Sequence, residues 1–190
     1  MPTTPPPADL GTEAPDFSLP ALDGNRVSLR DFDRAPALLV AFLCNHCPYV
    51  RHVERGFAGL AGEYQPGGVA IVAVCSNDSD AYPDDGPDGL RQQVERAGFT
   101  FPYLVDDNQE VARDYRAVCT PDFFVFDAER RLAYRGQMDA SRPGSALPVT
   151  GAALRAALDA VMAGEPAPAD QRPAVGCSIK WRPGNAPGLP

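Results

Sequence analysis

A chain of 190 residues, 44% hydrophobic and 22% charged, is long enough to bury a full core, so neither a disulfide nor a metal is needed merely to fold it. Its formal charge of −8 argues against a nucleic-acid partner, because neutralising phosphates takes a basic stripe and the sequence carries none. The opening MPTTPPPADLGTEAPDF lacks the basic and apolar regions of a signal peptide, and no apolar run approaches membrane-spanning length, so the expectation is a cytoplasmic protein.

Residues 1–13 read as a flexible Pro-rich lead on which no structure is forced, and residues 14–163 as the folded domain. In PDFSLPALDGNRVSLRDF, Asp23-Gly24-Asn25 lies between two short alternating runs and predicts a β-hairpin. ALLVAFL (37–43) is a continuous apolar run of strand length, as a strand buried on both faces requires, and it leads directly into Cys44. Beyond Pro48, apolar residues at Tyr49, Val50, Val53, Phe57, Leu60, Ala61 and Tyr64 follow helical spacing until Gln65-Pro66-Gly67-Gly68 stops them. VAIVAV (69–74) is a second buried strand, so the order strand, helix, strand predicts a parallel βαβ unit.

The acidic stretch SNDSDAYPDDGPDG, with Asp78, Asp80, Asp84, Asp85 and Asp88, lacks calcium-loop spacing and reads as a solvated loop. Leu90, Val94 and Ala97 mark a helix face, FPYLV a short strand, and DDNQEVARDYR a short capped helix. FFVFD (123–127) and RLAYR (131–135) predict an antiparallel hairpin, and Thr150 a cap for a helix with the stripe Leu154, Leu158 and Val161. Residues 164–190 are rich in Pro and Gly yet hold the single Trp and single Lys, and read as an extended tail packing on the domain.

Five cysteines is an odd number, and only Cys44 and Cys47 are close together, in AFLCNHCPYVRHVE. That is no disulfide framework; a close pair is the signature of catalysis or metal binding. A thiol at a helix N-terminus meets unpaired N–H groups and the positive end of the dipole, which favour the reactive thiolate. A second thiol three residues away can resolve a mixed disulfide, and a cationic His46 would add to thiolate stability. Proline is favoured at the first helical position, so Pro48 puts Cys47 near the N-cap, while Val50 occupies the place where a helix starting at Cys47 would bury its own resolving thiol. This register favours Cys47 as nucleophile and Cys44 as resolver over the reverse assignment.

At these residues the chain resembles the thioredoxin-like superfamily, in its redoxin branch of peroxiredoxin-like and thiol-disulfide proteins. The resemblance rests on APDFSLPALDG, on the apolar strand entering CNHCP, and on CTPDFFVFD, and covers residues 14–163. It implies an α/β thioredoxin-like fold with a central mixed sheet flanked by helices. It also implies a cis proline at Pro121 and substrate contact through Thr120 and Pro121, with no bound cofactor. The tail GCSIKWRPGN further resembles a subgroup of uncharacterised bacterial thioredoxin-family proteins.

The chain departs from its relatives in ways that rank the readings. Leu43 stands where a Trp usually precedes the active-site Cys. In the peroxiredoxin pattern Pro-x-x-x-Thr-x-x-Cys, counting back from Cys47 places Cys44 at the Thr and Val40 at the Pro; from Cys44 those places hold Ala41 and Ala37. The hydroxyl of that pattern is missing, which sets an antioxidant thiol peroxidase second. Copper-delivering relatives use Cys-x-x-x-Cys, but Arg51 stands at the second position.

Zinc takes four ligands, usually from two such pairs, so a single pair predicts no metal site. Cys75 reads as a core residue, Cys119 and Cys177 as candidate additional thiols, His52 as a surface residue, and Arg51 and Arg135 as sources of positive potential without an assigned place. The expected partners are protein or small-molecule disulfides and a dithiol reductant, with no nucleic acid and no membrane. A redox-sensing binding module without turnover is the alternative from another functional class.

Overall fold

The computed structural model describes residues 2–187, so Met1 of the lead and 188–190 of the tail lie outside the described residues. A five-stranded mixed sheet forms the centre, in the order β5-β4-β3-β7-β8. Its strands are β3 (Leu38–Phe42), β4 (Ala70–Cys75), β5 (Tyr103–Val105), β7 (Asp122–Phe126) and β8 (Leu132–Gly136). β3 runs parallel to β4 and antiparallel to β7, so it is hydrogen-bonded on both edges. Buried on both faces as well, all five of its residues are at most 1% exposed, which is why its sequence is apolar without alternation.

Successive side chains of the sheet feed two cores, as the two-residue period of a strand dictates. Leu39, Ala41, Ile71, Ala73, Phe123 and Val125 face one side. There they meet Val50, Val53, Phe57 and Leu60 of α1 (Pro48–Tyr64), Leu90 and Ala97 of α2 (Pro87–Ala97), and Leu154 and Leu158 of α4 (Ala152–Met162). Leu38, Val40, Phe42, Val72, Val74, Phe124 and Phe126 face the other side, against Val111 and Ala112 of α3 (Glu110–Asp114) and against Tyr115. Phe17 and Leu19 join them from the hairpin of β1 (Ser18–Pro20) and β2 (Arg26–Ser28). Phe57 is fully buried against Phe99, Phe101 and Phe123, and truncating such a residue to Ala typically costs about 3–5 kcal/mol.

Several expectations change at the periphery. The lead is not structureless: Thr3 bridges Gly176 and Glu13 bridges Arg131, so it closes over the strand ends. Helix α4 is capped by Gly151 in a left-handed conformation, not by Thr150; Asp139 Oδ2 accepts the N–H groups of both residues at 2.7 Å. The tail forms a strand, β9 (Cys177–Ser178), paired antiparallel with β6 (Cys119–Thr120).

Candidate active site

β3 ends at Phe42 and α1 begins at Pro48, so the joint between them is Leu43 followed by Cys44-Asn45-His46-Cys47. Cys47 is the N-cap residue and Pro48 the first helical residue, the register the proline predicts. Both thiols are 0% exposed, and all five cysteines are free. The peptide bond between Thr120 and Pro121 is cis, and this step lies against the pair. Thr120 Oγ1 is 3.1 Å from Cys44 Sγ, and the Thr120 carbonyl accepts from the Cys47 thiol at 3.3 Å.

Equal burial does not give the two thiols equal acidity. Cys47 is lowered to about 5, first because the Cys44 thiol stabilises its thiolate. Burial opposes this, but the Cys177 thiol, the Val50 N–H and the Cys177 N–H all lower it further, although the Val50 contact falls short of a full capping hydrogen bond. The Thr120 carbonyl is a contact that favours the protonated form, and it is outvoted. Cys44 is raised well above an ordinary thiol, first by donating to Cys47, then by burial and by the negative charge of Asp85. At neutral pH the pair therefore shares one proton, held on Cys44.

Asp85 is the feature the sequence reading missed. Far from being solvated, it is 1% exposed and sits beneath the joint, and Asp78 of the same loop is buried as well. Oδ1 of Asp85 accepts from Asn45 N at 2.7 Å and His46 N at 3.1 Å; Oδ2 accepts from Asn77 Nδ2 at 2.7 Å and pairs with His46 Nδ1. Asn45 completes the clamp, donating through Nδ2 to the carbonyls of Asp84 and Gly89 and accepting from Arg96. Gly89 is required for this fit, since a Cβ there would lie 2.1 Å from the Asp84 carbonyl oxygen. The Pro-Gly punctuation of the loop is the only sequence signal of the inward turn.

Cys44, His46 and Asp85 cluster closely enough to suggest a metal site. Each carboxylate oxygen of Asp85 already has two partners, however, so Asp85 and His46 belong to a hydrogen-bonded network with Asn45 and Asn77. The His46 ring turns toward Asp85 and stacks on Tyr82 at 5.3 Å, and none of the groups that lower Cys47 is His46.

The remaining candidates separate clearly. Cys177 is brought to the pair, opposite Thr120 in the β6–β9 register. Cys119, beside it in β6, is buried, and burial and Asp122 raise it. Cys75 is a core thiol raised by burial and Asp85. Arg135 is buried and paired with Asp122 at 2.9 Å, so it offers no potential to solvent. Arg51 braces the joint by donating to the Asn45 carbonyl at 2.8 Å, and His52, half-buried, contacts Ser141 at 2.7 Å.

A family model described as AhpC/TSA matches residues 10–135, about two thirds of the chain. The chain belongs to the AhpC/TSA family. Similar to this AhpC/TSA protein is an uncharacterised conserved protein from Geobacillus kaustophilus, 47% identical, covering 96% of this chain and 97% of that one with a TM-score of 0.93. The thiol-disulfide oxidoreductase ResA of Bacillus thuringiensis subsp. konkukian is 23% identical over 65% of this chain and 67% of its own length. A putative thiol:disulfide interchange protein DsbE from Chlorobium tepidum superposes with a TM-score of 0.66 at 20% identity, over 82% of this chain and 99% of its own. The fold is thioredoxin-like. Among the described residues, no helix is long and apolar enough to cross a membrane.

Proposed function

We propose that the protein is a thiol-disulfide oxidoreductase in which Cys47 attacks a substrate disulfide and Cys44 resolves the resulting mixed disulfide. The observation that carries this reading is the opposite displacement of two neighbouring thiols, Cys47 down to about 5 and Cys44 far up. Cys47 is a thiolate at neutral pH, ready to attack and good at leaving. Cys44 keeps the proton until Cys47 enters a mixed disulfide, which removes the thiolate that held it, and then becomes the attacking group. Thr120 and Pro121 would contact the substrate, and His46 would hold Asp85 beside Cys44. No cofactor enters the scheme. Substrates would be protein or small-molecule disulfides and electrons would come from a dithiol, in a reducing compartment such as the cytoplasm, as the unpaired cysteine number suggests.

A Cys47→Ser variant should lose the reduction of a small disulfide by roughly a thousandfold or more, while Cys44→Ser combined with Cys177→Ser, which leaves no thiol beside Cys47, should retain the first step and accumulate a mixed disulfide at Cys47. Retained turnover in Cys47→Ser, or a trapped adduct at another cysteine, would overturn the assignment.

Full burial of Cys47 favours one second reading, an antioxidant thiol peroxidase, because peroxide is small enough to reach a thiol that a protein disulfide cannot. Cys47 would become a sulfenic acid and Cys44 would condense with it. Against this, Thr120 Oγ1 lies on Cys44 rather than on Cys47. Peroxide turnover with dithiothreitol, faster than disulfide turnover, would favour the peroxidase; absence of both activities would favour a redox-sensing module.

A further inference from the structure

The reactive pair is sealed, and what seals it carries a thiol of its own. Cys44 and Cys47 are 0% exposed, whereas Cys177, which touches Cys47, is partly open to solvent. Its place is built into the backbone. Thr120 pairs with Cys177 and Cys119 with Ser178, and Ile179 N donates to the Val118 carbonyl at 2.9 Å. Thr3 clasps Gly176 from the far side, its N–H donating to the Gly176 carbonyl at 2.8 Å.

Beyond the strand, the tail is fastened to the acidic loop that carries Asp85. Lys180 N donates to Asn77 Oδ1 at 2.8 Å, Asp78 N donates to the Lys180 carbonyl at 2.8 Å, and Arg182 pairs with Asp78, Asp80 and Asp107. Gly176 has to be glycine here, since a Cβ would stand 1.9 Å from the Thr120 carbonyl oxygen. A tail held at this many points is a fixed part of the centre.

We propose that Cys177 is the outer thiol of a three-cysteine centre, through which the buried Cys44–Cys47 pair exchanges electrons with external thiols and disulfides; this rests on the exchange reading above. With Cys44 and Cys47 joined, the Cys177 thiolate attacks Cys47 Sγ. The Cys47–Cys177 bond forms, the Cys44–Cys47 bond breaks, and Cys44 leaves with the electron pair and takes the proton that Cys177 gave up. An external dithiol then attacks Cys177 Sγ, where solvent reaches, and Cys47 departs as thiolate. The second thiol of the reductant attacks the mixed disulfide, leaving Cys177 reduced and the reductant oxidised by two electrons.

The energetics suit the step in which an external thiol attacks Cys177 and Cys47 leaves. Cys47 is the best leaving group of the three, and a low-pKa thiol leaves fastest. Cys177 is pushed up to about 12, first by burial and then by the adjacent Cys47 thiolate. The Cys47 contribution vanishes once Cys47 is in a disulfide, while Lys180 continues to favour the Cys177 thiolate. Joining Cys47 to Cys44 therefore relieves part of what holds the Cys177 proton, while burial still opposes its loss.

The test is disulfide mapping by mass spectrometry of the full chain oxidised stepwise with oxidised dithiothreitol, followed by stopped-flow reduction with dithiothreitol. The expected result is a Cys47–Cys177 bond in the wild type that becomes dominant in Cys44→Ser, and reduction of oxidised Cys177→Ser slower than wild type by roughly tenfold or more. A Cys44–Cys47 bond alone, with no Cys47–Cys177 bond even in Cys44→Ser, would overturn the outer-thiol role while leaving the exchange reading intact. No disulfide involving Cys47 in any sample would overturn both. The wild-type part of the mapping does not depend on how the serine variants fold.

Discussion

Cys44 and Cys47 share a loop and the same complete burial, yet one holds its proton and the other gives it up. The inner side, at the end of β3, faces Asp85 and a network rich in negative charge. The outer side, at the start of α1, faces donors: two thiols and two N–H groups. Burial raises both, so the difference comes from what is buried with each. A sealed thiol can be as reactive as an exposed one if its surroundings donate.

The largest break in this asymmetry should come from the outer side. Replacing Gly176 with Val puts side-chain atoms onto the Thr120 carbonyl oxygen and forces β9 off β6. Cys47 then loses both its cover and the Cys177 donors, so its alkylation by iodoacetamide should accelerate by roughly a hundredfold, as expected when a local opening step is no longer required. Mapped alkylation rates check this; an unchanged rate would mean that the tail neither covers nor tunes the thiol.

Asp85→Asn attacks the inner side and should act less strongly. It removes the charge that helps keep Cys44 protonated, so the Cys44 thiolate should appear at lower pH, visible in the ultraviolet absorbance of thiolate. The amide can still accept from Asn45 and His46, but its NH2 group opposes Asn77 Nδ2 or His46 Nδ1, a buried mismatch expected to cost about 1–3 kcal/mol in chemical denaturation.

The pH dependence of stability separates the two thiols as well. Cys47 has a depressed folded pKa, so its contribution is fully present above the free-thiol value of about 8.5 and is lost as pH falls through about 5. Cys44 is protonated in the folded state across that window and in the unfolded state below about pH 7.5, so the reduced wild type should gain stability over Cys47→Ala as pH rises from about 5 to about 7.5.

What the sequence made legible follows the same division. The strand running into Cys44, the proline that fixes Cys47 at the N-cap, the βαβ unit and the Phe-rich hairpin are local patterns, and each lies where periodicity and turn chemistry place it. Asp85 was not legible, because an aspartate in a Pro- and Gly-rich acidic loop reads as solvated. Its burial depends on N–H donors from Asn45 and His46, forty residues earlier in the chain. Arg135 was hidden for the same reason, since its partner Asp122 lies across the β7–β8 pair. The tail carried a hint in Cys177 and Lys180 but no pattern that specified pairing with β6. Local chemistry was readable; long-range hydrogen bonding was not.

His46 sharpens the comparison with the smallest expected effect. A histidine between the two cysteines suggests a cation favouring the thiolate of Cys47, but its ring is committed to Asp85 and stacked on Tyr82. The donors that lower Cys47 are Cys44, Cys177 and the Val50 and Cys177 N–H groups. His46→Ala should therefore move the Cys47 thiolate titration by less than about half a unit, a change worth under about 0.7 kcal/mol. Its effect should fall on the inner side, where Asp85 loses one of its four partners and Cys44 changes its titration more than Cys47 does. Thiolate absorbance followed against pH in His46→Ala and in His46→Ala/Cys44→Ser resolves the two thiols. A shift of Cys47 by a full unit or more would return His46 to the role of direct activator and place the asymmetry in charge rather than in donors.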